Sequence, residues 1–162
     1  MESTITIRPI EKKDNNAIAI IIRAALEEFG ANKPGTVYFD PTTDALFELF
    51  RAAGSVYFVA LLDGHLIGGA GIYPTSNLPK GTCELVKLYL NKAARGTGLG
   101  KQLLLSAMDW ARLNGYNQVY LESMPELSKA VSLYEKVGYK RLDHPLGNSG
   151  HSGCDIWMSY QL

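Results

Sequence analysis

Along the first half of the chain the pattern of apolar and polar positions predicts a strand, two helices and then a hairpin. In the second half strands alternate with helices. Residues 3–8 set Thr4 and Thr6 against Ile5 and Ile7, which predicts a short strand ended by Pro9. Asp14-Asn15-Asn16 offers caps for a helix over 17–29, with Gly30 as its stop. Residues 31–40 hold Pro34 and Gly35 and read as a loop. Pro41-Thr42-Thr43-Asp44 then opens a second helix through Ala53, stopped by Gly54. Val, Tyr and Phe crowd residues 55–62, Asp63-Gly64 follows, and 65–73 is again strand-like, which predicts a tight hairpin. Gly68, Gly69 and Gly71 thin that second strand and point to another group packed close to its backbone.

A loop over 74–81 leads into a further strand, 82–90. Leu99, Leu103, Ala107 and Ala111 then fall four apart, with Leu104 and Met108 beside them, so 98–114 is an amphipathic helix ended by Gly115. Residues 118–123 form a strand. Ala130, Leu133, Tyr134 and Val137 mark a helix ended by Gly138, and 139–143 and 155–160 are two closing strands around the loop 146–153. The order is β-α-α-β-β-β-α-β-α-β-β. One strand–helix–strand crossover makes 82–90 and 118–123 parallel. The expected fold class is α/β: a mixed, mostly antiparallel sheet with a central parallel strand pair and helices on both faces.

Composition narrows the partners. The chain has 162 residues, which predicts a single domain over 1–162. Its 16 Lys and Arg balance 16 Asp and Glu, without a basic run, so no nucleic acid and no membrane surface is expected as partner. The first residues lack a basic segment followed by an apolar one. No apolar stretch approaches the roughly 18 residues that span a bilayer, and a cytoplasmic protein is expected. Cys83 and Cys154 stand far apart without CxxC spacing, which suits neither a disulfide framework nor a metal site.

The most informative segment is Arg95-Gly96-Thr97-Gly98-Leu99-Gly100-Lys101, between a strand and a helix start. Glycines at alternate positions let backbone N–H groups point outward at the positive end of a helix dipole, beside Arg95 and Lys101. That is an anion site of phosphate size. A P-loop would need Gly at position 95 and Ser or Thr at 102, but these are Arg95 and Gln102. The dinucleotide fingerprint would need Gly at position 101, which is Lys101.

The remaining pattern, R-x-x-G-x-G between strand and helix, resembles motif A of the GCN5-related N-acetyltransferases (GNAT). Glu84-Leu85-Val86-Lys87-Leu88-Tyr89-Leu90 is similar to that family's central strand. Ala130-Val131-Ser132-Leu133-Tyr134-Glu135-Lys136-Val137-Gly138-Tyr139 is similar to its A-x-x-L-Y-x-x-x-G-[FY] helix. Tyr120–Leu127 resembles a bacterial branch that acts on small molecules or peptides. Leu127 stands where many members carry a cofactor-contacting Asn, a departure that leaves the backbone contacts intact.

The resemblance implies an acyl-CoA N-acyltransferase fold and an enzyme that moves acetyl from acetyl-CoA to a primary amine of a small molecule or peptide. Attack would be direct, in a ternary complex, with no metal. It implies cofactor contacts at Leu88, Tyr89, Leu90, Arg95, Gly96, Thr97, Gly98, Leu99, Gly100, Lys101, Ser123 and Tyr134. The N–H groups near 88–90 would polarise the acetyl carbonyl.

Tyr134 matches the residue that protonates the departing thiolate, although its place on an apolar stripe equally suits a core residue. Glu84 matches a strand glutamate that serves some members as base, with Glu122 and water as rivals. His144 and His151 flank a loop suited to cover the acceptor, where lone histidines are ordinarily just exposed. The acceptor is expected between the loops 30–41, 73–81 and 144–153. Glu27, Glu28, Asp40 and Asp44 lean that region acidic, as a cationic amine would favour. Ignoring the resemblance, Lys87 and Lys101 read as solvated charges; with it, Lys101 assists the phosphates. Both cysteines read as structural. A non-catalytic acyl-CoA sensor on the same scaffold is the alternative, and a homodimer is left open.

Overall fold

The computed structural model describes residues 2–149 and 152–162. Among them, β1 (Ile5–Pro9), β2 (Val56–Leu62), β3 (His65–Tyr73), β4 (Thr82–Leu90), β5 (Gln118–Ser123), β6 (Lys140–Leu142) and β7 (Ile156–Gln161) form one sheet in the order β1-β2-β3-β4-β5-β7-β6. Every pairing is antiparallel except β4 with β5, the crossover pair the pattern predicts. Asp63 and Gly64 both take positive φ, 50° and 83°, as a two-residue hairpin demands.

The helices are α1 (Asn15–Glu28), α2 (Leu46–Leu49), α3 (Leu99–Leu113) and α4 (Ser128–Val137). Ile18, Ile22 and Leu26 of α1 and Leu46 of α2 pack with Tyr57 and Val59 on one face of the sheet. Leu104, Ala107, Met108 and Ala111 of α3 and Val131 and Tyr134 of α4 pack with Leu85, Val119 and Leu121 on the other. The central strands are therefore apolar on both sides, the usual state of a sheet layered between helices.

Two expectations need correction. The helix expected over 41–53 is not continuous: a 3-10 turn at Pro41–Asp44 is followed by the single turn of α2, and Ala45 between them has φ −136° and ψ 47°. Tertiary bonds hold this break. The buried Thr43 hydroxyl donates to the Val37 carbonyl at 2.8 Å, and Arg23 of α1 clamps Asp44 through two N–H groups. At the first helix, Asp14 makes no side-chain cap to α1. Its buried carboxylate accepts from Arg8 (2.8 Å) and from the Glu11 N–H (2.8 Å), tying the end of β1 to the start of the helix.

The glycines of β3 do what their spacing suggests. A Cβ on Gly71 would sit 2.7 Å from the Tyr57 ring and 2.8 Å from that of Phe50, and the two rings lie 5.1 Å apart. The Tyr57 hydroxyl reaches on to donate to the Lys87 carbonyl at 2.8 Å. Here β4 bulges: Gly71 faces Val86 and Gly69 faces Tyr89, so Lys87 and Leu88 share the single partner position of Ala70, and Lys87 takes φ +55°.

Candidate active site

The parallel pair is short. β4 and β5 stay in register from Thr82 and Gln118 to Leu85 and Leu121, while Glu122 and Ser123 continue only along β7. Beyond Leu85 the two strands part. A cavity of about 490 Å³ occupies the gap, with the bulge of β4 along one wall, α4 along the other and Phe29 and Val37 from the α1 side. Glu84, Leu88, Tyr89, Leu90, Arg95, Gly96, Gly98, Gly100, Lys101, Ser123 and Tyr134 all line it. Thr97 and Leu99 do not appear on its walls. The Thr97 hydroxyl braces the loop by donating to the Ala94 carbonyl at 2.6 Å, and Leu99 is buried in the core beneath the helix start.

At the mouth, Gly98 precedes α3 in the left-handed region, with φ 82°. A Cβ built on Gly96 or Gly98 would meet no atom within 4 Å, so the loop leaves room directly beside its own backbone. The first N–H groups of a helix lack intrahelical acceptors and carry its positive end, which suits an anion. Arg95 lines the cavity and is also engaged within the protein. It pairs with Glu28 and donates to the Leu90 carbonyl at 3.1 Å, and its guanidinium lies 4.8 Å from the centre of the Phe29 ring. Arg95 thus braces the loop against α1, while Lys101 stands exposed on the first turn of α3.

Tyr134 is 7% exposed, and no hydrogen bond joins its hydroxyl to another described residue. Burial pushes its ionisation upward, so the phenol keeps its proton at neutral pH. Its main chain is fixed by the glycine stop: the N–H groups of Gly138 and Tyr139 both donate to the Tyr134 carbonyl, with Gly138 at φ 121°.

Glu84 is 3% exposed and accepts from the Thr75 hydroxyl at 2.5 Å. Burial, with a smaller push from Glu122, raises its pKa to about 7 against the lowering effects of Thr75 and Lys87. Glu122, the rival base, is held by the hydroxyls of Tyr120 (2.6 Å) and Ser149.

Lys87 departs most from its reading. It is not a solvated charge but only 7% exposed, and it lines the cavity. Its place in a strand covered on both faces was the available signal.

The loops 30–41, 73–81 and 144–153 are tied to one another and to β5. The Gly153 N–H donates to the Gly35 carbonyl (2.8 Å), the Asn148 N–H to the Ser76 carbonyl (2.7 Å) and the Leu146 N–H to the Tyr120 hydroxyl (3.1 Å). Lys33 adds an ion pair to Glu126 at 2.6 Å. None of these partnerships, nor Thr75 beside Glu84, has a local sequence signature. His144 is exposed and off the cavity wall, and His151 lies outside the described residues. The acidic residues of the first half are engaged nearby: Glu27 with Tyr38, Glu28 with Arg95, Asp44 with Arg23, and Asp40 with Thr42. Burial pushes both thiols, Cys83 and the cavity-lining Cys154, up to about 12.

A layered sheet that parts at its parallel pair, with a glycine loop and a helix start at the mouth of the gap, is the arrangement that the resemblance to the acetyltransferases implies. Residues 21–139 match the acetyltransferase (GNAT) family, and the chain belongs to that family of acetyl-CoA-dependent N-acetyltransferases. It is 39% identical over 158 residues to YjgM, an uncharacterized N-acetyltransferase of Escherichia coli (strain K12), covering 96% of this chain and 94% of that one. Among solved structures, a GNAT-family acetyltransferase from Staphylococcus aureus Mu50 superposes with a TM-score of 0.86 at 16% identity, covering 98% of this chain and 99% of that one. The PaiA N-acetyltransferase of Thermoplasma acidophilum, solved in complex with coenzyme A, does so with a TM-score of 0.77 at 21% identity and the same coverage. At those identities the two structures speak for the fold. Among the described residues no helix is long and apolar enough to cross a membrane.

Proposed function

We propose that the chain acts as one acetyltransferase domain that moves acetyl from acetyl-CoA to a primary amine of a small molecule or peptide, by direct attack within a ternary complex. The carrying observation is that one cavity joins the open glycine loop, the bulge of β4, a buried carboxyl raised to about 7 and a buried phenol. These residues fit the thioester. The unfilled space at Gly96 and Gly98 and the N–H groups opening α3 suit its diphosphate, with Lys101 alongside; the apolar gap between Leu88 and Leu133 suits its arm. When bound, the thioester supplies an acetyl group activated for attack.

The chain's own residues then divide the work. Glu84 takes the proton that the ammonium sheds as its nitrogen bonds the acetyl carbon, and a pKa of about 7 suits that exchange near neutrality. Main-chain N–H groups at Leu88, Tyr89 and Leu90 face the charge that grows on the acetyl oxygen. Tyr134 gives a proton to sulfur as the carbon–sulfur bond breaks. Cys154 keeps its proton at neutral pH, which favours direct transfer over an acyl-cysteine route. Ser123 lines the arm's channel at the end of β5.

Following thiol release with a panel of amines tests this reading. Turnover is expected with at least one amine. Coenzyme binding without release from any amine would instead establish a non-catalytic acyl-CoA sensor.

A further inference from the structure

Lys87 poses a separate question. A lysine that loses its water ordinarily finds hydrogen-bond partners, because a buried ammonium left without them is costly. Lys87 is 7% exposed, and no hydrogen bond or ion pair joins its ammonium to another described residue, yet that ammonium is not fully enclosed, so it keeps contact with open space. Glu84 and Asp40 attract it through space without bonding it. Asp40 accepts from the main chain and hydroxyl of Thr42, and Glu84 from Thr75. Lys87 is among the residues lining the cavity, on a left-handed backbone at φ +55° whose carbonyl accepts from the Tyr57 hydroxyl. Along β4 it falls between Glu84 and the strand end at 88–90, away from the glycine loop. Its donors therefore serve the acceptor end of the cavity.

From this we infer that the acceptor is an aminocarboxylate, a small molecule whose primary amine has a free carboxylate beside it, as in an unblocked amino acid. The amine turns to Glu84 and the carboxylate to Lys87. A zwitterion matches an acid and an ammonium three residues apart on one strand, and its net neutrality avoids the repulsion that Glu84 and Glu122 would impose on a dianion. The inference rests on the acetyltransferase reading and deepens it.

The test compares thiol release with a series of free amino acids and with the same amino acids as C-terminal amides. In the wild-type protein, kcat/KM for the best acid is expected to exceed that for its amide at least about tenfold, the usual yield of a charge-assisted hydrogen bond. In Lys87→Met the acid-to-amide ratio is expected to fall toward one, chiefly through KM for the acid, with partial recovery in Lys87→Arg. The inference is overturned if wild type accepts amides as readily as acids, a result independent of any variant's folding. It is equally overturned if folded Lys87→Met keeps the wild-type ratio, which would make Lys87 a mere counter-charge to Glu84 and Asp40. Release from amides alone leaves the acetyltransferase reading standing; no release from either series overturns the inference, and the wider amine panel then decides the acetyltransferase reading.

Discussion

Glu84 holds its proton to about pH 7 because β4 buries it between two layers of helices and Glu122 lies close on the neighbouring strand. Two pH dependences follow from that shift. The carboxylate is the base form, so kcat/KM is expected to rise with pH up to about 7 and then level. Glu84→Gln should remove that limb and lower the rate by about 10²–10⁴. Stability runs the other way. Below its ordinary 4.5 the group is protonated in both folded and unfolded chains. Between 4.5 and about 7 the unfolded chain releases the proton while the folded one retains it, so stability falls with rising pH across that window. Thermal melts should show Glu84→Gln gaining on wild type over the same interval and holding a constant lead above it. Tyr134 is predicted separately: Tyr134→Phe should lower kcat by about 10²–10⁴ with little change in coenzyme A affinity by calorimetry. An unchanged kcat would return the residue to the core role its helical spacing equally allows.

The elements matter through where they fail to be regular. The bulge in β4 depends on β3, because Gly71 admits the rings of Tyr57 and Phe50 and the Tyr57 hydroxyl then pins the Lys87 carbonyl. Gly71→Ala should destabilise the fold by about 1–3 kcal/mol by denaturant titration, since neither neighbouring ring can withdraw. At the glycine loop the situation is reversed. A side chain on Gly98 would meet no protein atom, but it would stand where the diphosphate is proposed to approach, on a backbone at φ 82°. Gly98→Val is therefore expected to leave a folded protein, weakened by about 1–2 kcal/mol, that no longer binds coenzyme A. Retained affinity would contradict the loop assignment.

At the scale of the molecule, the cavity draws on both faces of the sheet: Phe29 and Val37 come from the α1 side, Leu133 and Tyr134 from α4, and the bulge lies between them. A ligand seated there binds only the assembled fold, so acetyl-CoA should raise the melting temperature with concentration while leaving a single transition. The pattern of apolar positions already determined most of this architecture. Strand alternation, helical spacing and glycine stops are local signals, and so are the crossover and the glycine loop, whose chemistry lies in the backbone of consecutive residues. Two outcomes were beyond local reading because each depends on partners distant in sequence. The 41–53 helix breaks because Arg23 and Val37 bind its first turn, and Arg95, while lining the cavity, pairs with Glu28 of α1. The burial of Lys87 was hinted at by its place in a central strand, but its degree is set by the layers packed over that strand. Periodicity reports which face a residue takes; only the packed sheet decides how much water reaches it, and hence whether its charge is a solvated ornament or a site.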